Sequence, residues 1–498
     1  MIGKGILFLY FAVTLGRFLF SAHFDLTPDE SYYWYWSEHF QLSYFDHPPL
    51  VAWMIRISTF LIGKNEFAVR LPSLLLGIGD TYFIYRLAEL AFKSREAGIS
   101  AALLLNSLLI FSVGNVLMTP DSPLIFFWIL TLYFVYHAAI GKKDLAWLPA
   151  GLGLGFGLLS KYTMILFVPS LFLFLIFNKP CRACLIRWQP WAALLIAGLV
   201  FSPVLIWNYQ NHWISFLFQI HHGTDSGTRS GIRTFFEFLG SQAGILSPLV
   251  WIGLLASLFK AFRIGRNPGL PQFAYLFWMT MPVFFFCAES FRTKIEANWP
   301  VFGYAGAIIL LGGFLNQLWR NGKYSPAPRW TAGILLVVSF LFTLLVHLQA
   351  FYKIAPLKVE VDRTYDLTGW KNLKLVYDRF PDKSSWPLLA THHTVVTEAA
   401  FYLGKEDVFQ TNAPYRITSL SEERARRIPK GTSFLLLTVD DDRLSDRDRA
   451  MFARITPLAA IPVFYETRND SRLIRTFYYS IGEDFQGISA PGNRERAS

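Results

Sequence analysis

Charge is scarce in this chain, and so is cysteine. Asp, Glu, Lys and Arg supply 16% of its 498 residues, while 53% are hydrophobic; soluble domains carry about 25% charged residues. That shortage excludes an ordinary soluble fold and points to a chain whose solvent is largely lipid. Three cysteines cannot build a disulfide framework. Cys181 and Cys184 form one C-x-x-C beside Lys179, Arg182 and Arg187. With no second pair to complete four ligands, they read as reduced thiols in a loop, not as a zinc site. There is no P-loop, no G-x-G-x-x-G on a strand-to-helix turn and no G-x-S-x-G, so ordinary nucleotide binding has no support. Internal repeats and low-complexity tracts are absent as well.

What is present is long apolar runs, 47 Phe and 16 Trp. The mean hydropathy is +0.34. Spanning a bilayer core takes about 20 apolar residues, which places helices near 5–24, 69–92, 97–116, 121–140, 145–159, 162–178, 191–208, 241–260, 272–288, 299–318 and 330–350. The first run follows Lys4 like a signal peptide but has no small-residue exit, so it reads as an uncleaved span. Lys4, Lys93 and Arg95, Lys142 and Lys143, Lys179 with Arg182 and Arg187, Lys260 with Arg263 and Arg266, and Arg320 with Lys323 and Arg329 then fall on one side. That side is the cytoplasm by the positive-inside bias. The net charge of +11 is thereby absorbed without nucleic acid. The fold class is a polytopic α-helical membrane protein of about eleven spans over 1–350, with outward-facing loops at 25–68, 209–240 and 289–298. From 351 to 498 strand-like runs alternate with helical patterns, at Val395–Leu403 and Ser421–Ile428 among others, and this reads as a small extracytoplasmic α/β domain. Pro491–Ser498 reads as a frayed, polar end.

The polar groups worth attention collect on the outer face. Thr27-Pro28-Asp29-Glu30-Ser31-Tyr32-Tyr33-Trp34-Tyr35-Trp36 puts two carboxylates beside crowded aromatic rings. Asp29 can act as a base there, with Glu30 and Tyr33 beside it; the same residues also spell a helix start. Asp46-His47-Pro48-Pro49 sets a carboxylate and an imidazole on a stiff turn. Asp121, in Thr119-Pro120-Asp121-Ser122-Pro123, serves a site, a helix start or both. Lys161 is the only charged residue between Asp144 and Lys179, and it stands against the positive-inside trend. A phosphate or carboxylate partner accounts for it, the alternative being a lysine that snorkels. Arg292 and Lys294, with Glu296, add outer charge that serves to bind a phosphate or to pair locally. His221-His222-Gly223-Thr224-Asp225 and Asp440-Asp441-Asp442 read as a lid and an acidic turn rather than metal sites.

Phe-Asp-His-Pro-Pro-Leu, the Thr-Pro-Asp at a helix end and Leu-Ser-Lys before a further helix resemble the bacterial protein-mannosyltransferase-like glycosyltransferases of the GT-C superfamily, which include the lipid A aminoarabinose transferases. Asp366-Leu367-Thr368-Gly369-Trp370 and Glu398-Ala399-Ala400-Phe401-Tyr402 resemble patches of that family's periplasmic domain. The resemblance implies Asp29 as the catalytic carboxylate, Asp121 as a second catalytic-site aspartate and Lys161 as a contact to the donor phosphate. Asp46 and His47 stand where the aminoarabinose transferases show Glu-Lys, and a neutral imidazole holds phosphate less well than an ammonium. The implied donor is a sugar on polyprenyl phosphate, transferred with inversion and without metal or cofactor. The implied acceptor is lipid A, another envelope glycan or a protein, and the implied location is the periplasmic face of the inner membrane. Two other classes compete. A lipid-linked sugar flippase calls for midplane sites in related halves, and a non-catalytic scaffold does not call for Asp29, Asp121 and Lys161.

Overall fold

A computed structural model of the chain describes residues 2–224, 231–321, 327–390, 392–410, 428–444, 446–466 and 471–487. Most of the helical pattern at 421–428 and all of 491–498 lie outside these residues. Two compact units emerge, Met1–Ser21 with Gln41–Phe351, and Ala22–Phe40 with Tyr352–Ser498. The sequence suggested a cut near 350 alone, yet residues 22–40 group with the second unit.

The first unit is helical. It holds most of α1 (Ile2–His23) and, after the short α2 (Pro28–Glu38) that belongs to the second unit, continues with α3 (Leu50–Ile62), α4 (Glu66–Phe92), α5 (Arg95–Ser107) and α6 (Leu109–Gly114). Next come α7 (Asp121–Val135), α8 (Trp147–Ser160), α9 (Phe167–Phe177), α10 (Trp188–Gln210) and α11 (Ile214–Thr224). The unit closes with α12 (Gly231–Leu246), α13 (Pro248–Ile264), α14 (Pro271–Trp278), α15 (Met281–Glu289), α16 (Tyr304–Asn321) and α17 (Ala327–Tyr352). Among the described residues six helical stretches are long and apolar enough to cross a membrane, and the pair α12–α13, bent by 105°, makes a seventh. The helix read at 241–260 is broken at that bend. Ser247 takes a left-handed φ of 68° and Pro248 opens α13, so the α12 ladder cannot continue. The span read at 97–116 is likewise split, where Leu108 is extended between α5 and α6.

Small residues let the helices around α8 close up. A Cβ on Gly151 would stand 2.6 Å from the Ala193 carbonyl oxygen of α10, and one on Gly157 would stand 2.6 Å from the Met164 side chain. Close backbone approach of this kind is how apolar helices associate where burial from water offers no drive. Cys181 and Cys184 are buried and unbridged; burial pushes the Cys181 thiol up to about 12, which makes it an inert packing group.

The second unit is a five-stranded sheet in the order β2-β1-β3-β5-β4, formed by β1 (Leu388–Ala390), β2 (Val408–Gln410), β3 (Phe434–Val439), β4 (Phe452–Glu466) and β5 (Ser471–Phe485). The β1–β2 and β1–β3 pairs are parallel, while β3–β5 and β4–β5 are antiparallel. The short helices α18 (Leu375–Arg379) and α19 (His393–Leu403) lie in this unit, and α2 packs on α19. Because α2 is aromatic on every side, it has to be buried, and residues Glu30–Ser37 are.

Candidate active site

In the first unit a three-residue cluster forms at the open end of the α7–α8 hairpin. Asp121 is the first residue of α7 but does not cap it. Its Oδ1 accepts from Lys161 Nζ at 2.8 Å and its Oδ2 from Asn298 Nδ2 at 2.8 Å. Lys161 ends α8 in an extended conformation before a 3₁₀ turn, Tyr162–Leu166. The two charged side chains retain only 10% and 16% exposure. Burial of that kind makes the ion pair strongly dependent on both partners. The α7 N-terminus adds a favourable dipole for the carboxylate. Lys142 and Lys143 lie in the hairpin's turn, and the 20 residues Asp121–Ile140 separate them from Asp121. At 1.5 Å per residue that is about 30 Å, the thickness of a bilayer core.

Asp46 and His47 belong to the same unit. The Asp46 carbonyl accepts from Gln219 Nε2 of α11 at 2.7 Å, and the His47 carbonyl accepts from the Tyr44 N–H. Leu50, at the start of α3, shares a buried cluster with Leu159, and Tyr162 packs against that cluster. The stiff turn and the Lys161 strand are thus built on one patch of core. Arg292 and Lys294 pair with Glu289 and Glu296 and keep 72% and 56% exposure; such pairs hold little energy.

Asp29, Glu30 and Tyr33 belong to the second unit. Thr27 and Glu30 form a reciprocal capping box: Thr27 Oγ1 accepts from the Glu30 N–H, and Glu30 Oε2 accepts from the Thr27 N–H. Glu30 is fully buried in that role, whereas Asp29, one residue earlier, is exposed. Tyr33 is buried against Tyr32 and Trp36. The two patches that resemble family motifs hold this segment. Asp25 Oδ2 accepts from the Trp370 N–H at 2.9 Å, and Asp25 Oδ1 pairs with Lys371 Nζ at 3.2 Å. Tyr402 Oη accepts from the Leu26 N–H at 2.7 Å, Ser31 and Thr397 share a hydrogen bond, and Trp34 meets Phe401 edge-on.

Burial drives the Glu398 carboxyl well above its usual range, opposed by the nearby Arg475. Arg475 itself stacks on Trp370 at 3.8 Å. Asn298, Asp25 and Glu398 are contributors that sequence reasoning did not single out as site groups. Asp25 and Glu398 stand in otherwise apolar or aromatic stretches, while Asn298 follows a charged run that gave it no prominence.

The Asp440–Asp442 turn is occupied from within, since Asp441 pairs with Arg443 and Asp440 Oδ1 accepts from the Thr476 N–H. Among the described residues no three His, Cys, Asp or Glu side chains gather as a metal-ion site. His221 and His222 fall in the last turns of α11, and Asp225 lies outside the described residues.

The fold that carries these residues is similar to that of solved membrane-bound transferases. ArnT from Cupriavidus metallidurans, crystallised with undecaprenyl phosphate, superposes with a TM-score of 0.62 at 17% identity, over 98% of this chain and 100% of that one. An Archaeoglobus fulgidus oligosaccharyltransferase follows with a TM-score of 0.53 at 10% identity, over 86% of this chain and 69% of that one. In sequence, the model for dolichyl-phosphate-mannose-protein mannosyltransferases matches residues 46–207. The lipid A galacturonosyltransferase RgtD of Rhizobium johnstonii is 28% identical over 323 residues, 64% of this chain and 67% of that protein. The undecaprenyl phosphate-alpha-4-amino-4-deoxy-L-arabinose arabinosyl transferase of Yersinia enterocolitica is 28% identical over 261 residues, 49% of this chain and 45% of that protein. The resemblance read from the motifs therefore stands, and the chain spans about half to two thirds of these relatives' length.

Proposed function

We propose that this chain is a glycosyltransferase that moves a sugar from an undecaprenyl-phosphate-type donor to lipid A, at the periplasmic face of the inner membrane. The observation that carries the reading is the buried Lys161–Asp121–Asn298 cluster, a bilayer's thickness along Asp121–Ile140 from the basic hairpin turn. The names of the relatives support the same donor and acceptor. In this reading the helices, including the short apolar ones at Asp144–Ser160 and Tyr162–Phe177, cross the bilayer about eleven times. The second unit, with its captured segment 22–40, stands in the periplasm.

The chemistry follows from charge. An ammonium has three donors; Asp121 takes one, and the others are directed to the donor phosphate. Displacement at the anomeric carbon releases polyprenyl phosphate, whose negative charge Lys161 stabilises without a proton transfer. Inversion follows from a single displacement. Asp29 accepts the proton of a hydroxyl acceptor; towards an acceptor phosphate, already anionic, it orients instead. Asp46 and His47 border the donor. A protein O-mannosyltransferase activity is the alternative enzyme reading, and a lipid-linked sugar flippase the alternative from another class.

The deciding experiment incubates the purified chain with lipid A and with undecaprenyl-phosphate-linked galacturonic acid or aminoarabinose in turn, and reads lipid A by mass spectrometry. A mass increment with either donor supports the proposal. Absence of transfer with both, with donor appearing across vesicle leaflets, replaces it by the flippase.

A further inference from the structure

A cavity in the first unit, lined by none of the Lys161 cluster's residues, has the dimensions of a lipid chain. It encloses about 470 Å³ between α1, α4, α5 and α17, within the ~300–1,000 Å³ usual for ligand sites. Val13, Ile99, Leu103 and Phe340 are among its walls. Arg95 and Tyr85 stand at one end, and Thr81, Asn106 and Ser107 at the other. Arg95 and Ser107 are the first and last residues of α5, so the cavity runs the length of that helix, about 18 Å at 1.5 Å per residue. One leaflet of hydrocarbon is about 15 Å deep, half of a ~30 Å core.

The inner end is polar and largely hydrogen-bonded within itself, with Arg17 Nε left over as a buried donor. Arg17 donates to Asn106 Oδ1 at 2.8 Å, Asn106 Nδ2 donates to Thr81 Oγ1 at 3.0 Å, and Ser107 and Ser339 are hydrogen-bonded. The outer mouth is basic. Arg86, Lys93, Arg95 and Arg320 gather near it against Glu89 and Glu96; Arg86 is paired with Glu89, and Arg320 acts on Glu96. Lys93 and Arg95 are exposed. Tyr82, 56% exposed, and Ile78, 39% exposed, flank an opening towards lipid.

We infer that this cavity seats one chain of an anionic phospholipid, its phosphate at Arg95 and Lys93. The lipid comes from the leaflet on the Arg95 side, the cytoplasmic one under the orientation proposed above. An undecaprenyl tail is far longer than the ~18 Å run of the cavity, so the site is not a second donor site. Lipid seated here braces α1 and α17 against the α4–α5 pair.

Native mass spectrometry of the detergent-purified chain tests this, followed by titration with nanodiscs of phosphatidylglycerol or phosphatidylcholine. The expected result is one retained phosphatidylglycerol and preference for it over phosphatidylcholine. Ala102→Trp, which fills the cavity, should lower occupancy at least tenfold. Arg95→Gln, on an exposed side chain, should weaken phosphatidylglycerol about fivefold and erase the preference, as loss of one headgroup charge does. Lys142→Gln, basic but distant in the chain, should change nothing. Equal uptake of the two lipids, retention of undecaprenyl phosphate instead, or an equal effect of Lys142→Gln would overturn the inference. Should Ala102→Trp fail to fold, Arg95→Gln decides alone. None of these readouts depends on sugar transfer, so the site and the proposed function can fail separately.

Discussion

The two acidic centres of this protein are built in opposite ways. Asp121 is buried, clamped by an ammonium and an amide across a helix hairpin. Asp29 is exposed on the first turn of α2, while the neighbouring Glu30 is consumed by the capping box. A clamped carboxylate is tied to its partner and serves as a counter-charge. An exposed one, on the first turn of a helix, is reached by solvent. The contrast separates a residue that organises a cation from the one proposed above to meet a substrate.

The strongest way to break that contrast is Asp29→Asn beside Glu30→Gln. Asp29→Asn should lower turnover by about 10²–10⁴ with unchanged folding. Glu30→Gln should stay near wild type, because Gln also completes a capping box. Equal losses in the lipid A transfer assay would show that the helix start, not the Asp29 carboxylate, is what matters. Next in size is Lys161→Met, which should cost about 3–5 kcal/mol by stranding Asp121 and raise the apparent donor KM. The pair Asp121→Asn with Lys161→Met should recover most of the melting temperature and none of the donor use. Recovery of both would reduce the cluster to a structural brace.

The second unit offers a pH test with two opposite signs. The raised Glu398 pKa means the folded state holds its proton more tightly. Its stabilising contribution is therefore present below the unfolded value of about 4.3 and is lost as pH rises through the folded value. Lys353 is pushed down to about 8 by burial, opposed by Asp362 and Asp366. The folded unit should then gain stability as pH climbs from about 8 towards the unfolded lysine value, about 10.4. Hydrogen exchange in β3 and β5 of the whole chain should follow this shape, with Glu398→Gln flattening the acid side and Lys353→Met the alkaline side. A smaller effect, about 1 kcal/mol, is expected for Thr27→Ala in thermal melts, from loss of the α2 cap. The smallest belongs to Arg292→Ala and Lys294→Ala, each below about 1 kcal/mol because their pairs are exposed. A donor KM change as large as that of Lys161→Met would bring them into the phosphate site.

Much of this was legible before any coordinates. Lys161 stands out because a lone charge in apolar sequence needs a reason, and Thr27-Pro28-Asp29-Glu30 spells a capping box. The break at Ser247 was not legible, since a serine in a hydrophobic run gives no sign of a left-handed φ. Asn298 gave little sign of its Asp121 contact, made 177 positions away. Nor did local pattern show that residues 22–40 would join the tail's unit. That grouping follows from Asp25 reaching the Trp370 N–H and Tyr402 reaching the Leu26 N–H.

By itself the sequence determined the solvent of each segment, the alternation of basic and acidic connections, and the residue types too costly to bury without purpose. These are local or additive properties, set by transfer free energy and by the residues next along the chain. Tertiary structure alone decided which carboxylate is clamped and which is exposed, because a hydrogen bond between positions 40 or 177 apart depends on how helices pack, and packing is settled by the whole unit at once.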